Sequence, residues 1–96
     1  MLCIVKYFEQ GGVNMWYGMT TYSFDADKPV NGPFKTEKEA WEFIESQADE
    51  EYRIDTEENG WSSQITKNKN CNEIIIENFF ICGTDVTKFF IFEIND

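Results

Sequence analysis

Thr36-Glu37-Lys38-Glu39-Ala40-Trp41-Glu42-Phe43-Ile44-Glu45-Ser46-Gln47-Ala48-Asp49-Glu50 is the stretch on which the fold turns. It opens with a capping box: the Thr36 hydroxyl can accept from the Glu39 amide while the Glu39 carboxylate reaches back to the Thr36 amide. Glu37 and Glu39 also place negative charge in the first turn, where it complements the helix dipole. Ala40, Trp41, Ile44 and Ala48 recur at helical spacing, with Phe43 widening the stripe, so an amphipathic helix is predicted from about Glu37 to Glu50 or slightly beyond.

Around this helix the pattern changes to strands. Leu2–Phe8 and Val13–Phe24 read as a hairpin across Gln10-Gly11-Gly12. In the second strand Met15, Tyr17 and Met19 face one side and Trp16, Tyr22 and Phe24 the other, with Gly18 permitting close approach. The segment Asp25–Pro33 holds both prolines and several turn formers, and is expected to be a surface loop. After the helix, Tyr52–Thr56 reads as a short strand, and Asn59-Gly60 before Trp61–Ile65 carries a hairpin signature. A further turn is expected at Lys67–Asn70. Two strands follow, Glu73–Cys82 and Val86–Ile94, joined through Gly83-Thr84-Asp85 and rich in the Ile and Phe that suit strands.

These elements predict one α+β domain over residues 1–96: an antiparallel sheet of about five to six strands, in the order ββ-α-ββ(ββ), packed on one amphipathic helix. Both faces of Glu73–Cys82 and of Phe89–Ile94 are apolar, and one helix covers only one side of a sheet. The sheet must therefore curl on itself or meet a partner, for which a homodimer is the simplest choice.

The 96 residues carry 18 Asp and Glu against eight Lys and Arg, a net charge of −10. That balance disfavours direct contact with nucleic acid or an anionic membrane, both of which require cations to displace counterions. The N-terminal Leu2–Val5 is too short for a signal h-region, and no apolar run approaches the ~20 residues of a membrane span, so a cytoplasmic protein is expected. Cys3, Cys71 and Cys82 lie in apolar or strand-like surroundings and read as three reduced, buried thiols.

Ten of the 22 residues from Glu37 to Glu58 are acidic, opposed within that segment only by Lys38 and Arg53. Dense like charge costs the folded state self-repulsion, which marks this segment as a working surface. Glu42, Glu45 and Asp49 fall on one helix face with axial separations of about 4.5 and 6 Å. Glu50, Glu51, Asp55, Glu57 and Glu58 continue the run, and Trp61 beside them could serve as an aromatic anchor. Trp41 reads as core. Such a row approaches the phosphate spacing of ~3.4 Å per strand.

The expected partner is a basic protein surface, either a nucleic-acid-binding protein whose groove the row occupies or a basic toxin neutralised by an immunity protein or antitoxin. A structural homo-oligomeric subunit working through the C-terminal sheet is the remaining alternative. No catalytic, cofactor or metal site is predicted. The chain has no histidine and no Gly-rich phosphate loop, CxxC pair or nucleophile elbow. Asp55–Gly60 matches the first half of an EF-hand loop, but Thr66 stands at the twelfth position, where calcium needs a bidentate Glu.

Overall fold

The structure, a computed structural model, describes residues 14–22 and 30–95. Its elements are β1 (Asn14–Tyr22), β2 (Asn31–Phe34), α1 (Glu37–Arg53), a π-helical turn (Ile54–Glu58), β3 (Ser62–Asn68), a 3-10 turn (Lys69–Cys71), β4 (Glu73–Phe80) and β5 (Gly83–Asn95). The strands form one antiparallel sheet in the order β2-β1-β5-β4-β3. This is the predicted α+β architecture, a sheet with one helix packed on it. The strand expected at Leu2–Phe8 and its turn lie outside the described residues.

β5 is the spine. Residues Gly83–Phe90 pair with β4, from Phe80↔Gly83 to Glu73↔Phe90, and Thr87–Asn95 pair with β1, from Tyr22↔Thr87 to Asn14↔Asn95, so Thr87–Phe90 are paired on both sides. Thirteen residues let one strand join two staggered hairpin-like halves. Where β4 has ended, the Ile91 amide donates to the Asn72 carbonyl at 3.1 Å.

Register sorts the side chains onto two faces. Ile74 lies opposite Phe89, Ile76 opposite Thr87 and Gly18 opposite Ile91, and all six are buried beneath α1. Ala40, Trp41, Ile44 and Ala48 close this core from the helix, with Trp16, Phe34, Phe43, Tyr52 and Ile65 packed around it. Small residues bring the layers close: a Cβ on Gly18 would stand 2.8 Å from Ile44 Cγ2. The predicted sides of the second strand hold for Met15, Tyr17 and Met19 against Trp16 and Tyr22. Phe24 lies outside the described residues.

On the other face, Tyr17 stacks on Phe92 with ring centroids 5.8 Å apart, and Phe90 lies 6.1 Å from Phe92. Phe79 and Ile94 on that face are exposed. Among the described residues no element lies over it.

Five local expectations need correction. Asn31–Phe34 is a strand rather than loop; as an edge strand among the described residues it tolerates Pro33, whose nitrogen has no hydrogen to donate. Tyr52–Thr56 is helical instead of extended, because the buried stripe of Trp41, Ile44 and Ala48 continues at the same spacing through Tyr52 and Asp55. Asn59-Gly60 is the exit from that helix, not the bend of a hairpin: Asn59 N donates to Ile54 O at 2.9 Å, and Gly60 adopts φ +69°, a left-handed conformation natural to glycine after a helix. Finally, β4 stops at Phe80 and β5 begins at Gly83, so Ile81 and Cys82 form the turn in place of Gly83-Thr84-Asp85, and Ile81 is fully exposed. Cys82 there and Cys71 in the 3-10 turn are exposed free thiols, contrary to the expected burial, because turns lie at the surface. Cys3 lies outside the described residues.

Candidate protein-interaction surface

The helix N-terminus is built nearly as its sequence predicts. Thr36 Oγ1 accepts from the Glu39 amide at 3.1 Å, while the Glu39 carboxylate accepts from the Lys35 amide at 3.0 Å, one residue before the expected Thr36. At the other end, Thr56 Oγ1 donates to the Tyr52 carbonyl at 2.8 Å, and the Trp61 amide donates to the Asp55 carbonyl at 2.8 Å, which leads the chain into β3.

Asp55 does not belong to the charged surface. It is 1% exposed, and its Oδ2 accepts from Asn78 Nδ2 of β4 at 3.0 Å, while the Ser63 hydroxyl of β3 donates to Asn78 Oδ1. A buried polar group without a partner costs about 1–3 kcal/mol, so these three side chains satisfy one another and tie the π turn to two strands. The same arrangement removes Asp55 from a calcium loop. Among the described residues no group of three or more His, Cys, Asp or Glu side chains is placed to hold a metal ion.

The other acids divide among three places. Glu42, Glu45, Asp49 and Glu50 line a shallow groove with Ser46 and Arg53 along α1. Glu51 lies on the opposite flank, in a depression shared with Thr20, Tyr22, Asn31 and Gln47. Glu57 and Glu58 stand in the π turn at the C-terminal end, where Arg53 meets both; Trp61, three residues after Glu58, is 40% exposed and packs edge-on against Phe80 with centroids 5.1 Å apart. Trp41, by contrast, is buried in the core, with Lys69 Nζ 5.5 Å from its ring centroid.

Cations thread through this surface more closely than the sequence suggests. Lys38 Nζ lies 2.7 Å from Glu42. Arg53 donates two hydrogen bonds to Glu50, at 2.7 and 3.2 Å, reaches Glu58 at 3.0 Å and stands 3.9 Å from Glu57. Lys67 comes from β3 to meet Asp49 at 2.9 Å and Glu45 at 3.1 Å.

These contacts displace titrations. Hydrogen bonding to Asp49 and then Glu45 raises the Lys67 pKa despite the opposing effect of partial burial. The bond to Glu42 raises that of Lys38, and the bonds from Arg53 lower that of Glu50. Even so, among the described residues these three cations serve six carboxylates, Glu42, Glu45, Asp49, Glu50, Glu57 and Glu58, so the ion pairs themselves leave an excess of acid. The arrangement can attract a cationic surface, and its rigid backbone holds the charges in a row.

Lys67 and Asn78 were invisible to local reading. Lys67 is 22 positions from Glu45, and a lone Asn in the Ile- and Phe-rich β4 was the one available hint of a buried polar partner. No helix among the described residues is long and apolar enough to cross a membrane. No family model matches the chain, and no curated protein or solved structure is significantly similar to it.

Proposed function

We propose that this chain is a non-enzymatic, cytoplasmic inhibitor that offers α1 as a nucleic-acid mimic to the basic groove of a nuclease or of a host-defence complex such as a CRISPR or restriction system. The observation that carries the reading is the row Glu42, Glu45 and Asp49 on one side of a capped helix, within a surface that keeps its acidic excess after Lys38, Arg53 and Lys67 are paired. Charge of this density steers a basic partner over distances near the ~8–10 Å Debye length and gives way to salt. Trp61 at the end of the row supplies an aromatic contact of the kind that dominates interface energetics. A basic toxin bound by an immunity protein would use the same chemistry.

The test is a Glu42→Gln, Glu45→Gln, Asp49→Gln triple variant, checked for native circular dichroism. Partners retained from lysate at low salt are identified and challenged with duplex DNA. Competition by DNA, loss in high salt and loss in the triple variant are expected; capture that survives all three overturns the mimic. A homo-oligomeric subunit is the second reading, favoured by the exposed Phe79 and Ile94 on the open sheet face. Under it, Phe79→Ser changes the sedimenting mass while the triple variant does not.

A further inference from the structure

We propose that the edge of β3, which among the described residues pairs with β4 alone, is a docking strand for an extended, basic segment of a partner protein, which joins the sheet beneath the α1 carboxylates; this rests on the acidic-surface reading and specifies the shape of the partner. The two edges of the sheet differ. β2 is four residues long, contains Pro33 and pairs with a register shift, features that blunt an edge against further pairing. β3 runs seven residues without Pro or Gly and keeps unbroken register with β4 from Asn68↔Glu73 to Ser62↔Phe79. Among the described residues β4 is its only strand neighbour. Alternate residues of such a strand direct N–H and C=O groups outward, ready for another strand.

Charge selects the occupant. Ser63, Ile65 and Lys67 point to the helix side of β3: Ser63 bonds Asn78, Ile65 packs on the core, and Lys67 reaches Glu45 and Asp49. Glu45 and Asp49 therefore overhang this edge, and one ammonium serves two carboxylates. A strand added ~4.8 Å beyond β3 would bring its helix-side residues within reach of the same pair if they were Lys or Arg. Its other side would run beside Ser62, Gln64, Thr66 and Asn68, which are polar and exposed. The fitting segment thus alternates basic and small polar residues. A second copy of this chain suits the edge poorly, since it would set two overhanging carboxylate rows against each other with only Lys67 from each side between them.

The experiment uses the full chain and two peptides of equal composition, Lys-Thr-Lys-Thr-Lys-Thr-Lys and Lys-Lys-Lys-Lys-Thr-Thr-Thr. Affinity is measured by calorimetry at low salt, and amide exchange by NMR. The alternating peptide is expected to bind about tenfold more tightly than the blocked one and to slow exchange at alternate β3 amides, and Glu45→Gln with Asp49→Gln should remove about tenfold of that affinity. Equal affinity for the two peptides with unchanged β3 exchange overturns strand addition while leaving the acidic surface in place. Binding of both peptides that ignores Glu45 and Asp49 overturns the acidic-surface reading, and the docking strand with it.

Discussion

Gly18 is where the sheet and α1 come closest, and the cost of one added methyl can be worked out from the contact. A Cβ there would lie 2.8 Å from Ile44 Cγ2, well inside the ~3.5–4.0 Å at which carbon atoms rest. Ile44 is fully buried, and Cγ2 is bonded to the Cβ of a β-branched side chain, so it moves only if χ1 changes. Overpacking of this kind costs about 1–3 kcal/mol. Gly18 lies outside the left-handed backbone region, so alanine also restricts the unfolded chain and returns ~0.4–1 kcal/mol. The balance for Gly18→Ala is a loss of about 1–2 kcal/mol. For a domain of this size that is a fall in Tm of roughly 5–15 °C. Urea and thermal unfolding of wild type, Gly18→Ala, Ile44→Leu and the double variant would measure it. Leucine has no Cγ2, so the double variant should recover about 0.5–1.5 kcal/mol relative to the sum of the single losses. An unchanged Gly18→Ala protein, or losses that simply add, would refute the close approach.

Three further outcomes follow from the polar contacts. Asn78→Leu should destabilise by about 2–3 kcal/mol, because the buried Asp55 carboxylate loses its donor, whereas Asp55→Asn keeps an amide partner and should cost about 1 kcal/mol; equal losses in urea titrations would contradict the bond. Lys67→Gln should change stability by less than about 1 kcal/mol, as exposed ion pairs do, yet strengthen the binding of the alternating basic peptide by uncovering Glu45 and Asp49. Weakened binding would mean that Lys67 itself contacts the ligand. For Glu50, the folded pKa is depressed by Arg53, so its contribution to stability is present above the unfolded value of 4.5 and disappears as pH falls through the lower folded value. NMR titration of the Glu50 carboxyl should therefore show a midpoint that rises in Arg53→Gln, and a midpoint indifferent to that change would remove the pair.

What local chemistry dictates was legible. Thr36 and Glu39 marked the helix start, the spacing of Trp41, Ile44 and Ala48 marked its buried face, and the alternation around Gly18 placed Trp16 and Tyr22 on one side of a strand. The helix end was missed because Tyr52, Ile54 and Thr56 have strand propensity, which is weaker than the packing that a continued stripe obtains. Asp55 sits on that stripe seven residues after Ala48, and its acidity disguised a buried position. Only Asn78, brought alongside by β4, makes that burial tolerable.

The charged surface required the same tertiary information. Local spacing showed Glu42, Glu45 and Asp49 as a row with Lys38 at its N-terminal end alone; the sheet supplies a second lysine, Lys67, from a strand 22 residues from Glu45. That contact lowers the density of the row and simultaneously fixes where it stands, directly over the edge of β3. Ile44 and Ala48 seat the helix on the core beside the row, and Asp55, Asn78 and Ser63 anchor the turn after it to β4 and β3. A carboxylate row held from both ends loses little backbone freedom when a ligand arrives, so less of the attraction is consumed in ordering it. The partner most able to exploit this is one whose cations are also regularly spaced, because a flexible polycation would forfeit in its own ordering what the rigid helix saves.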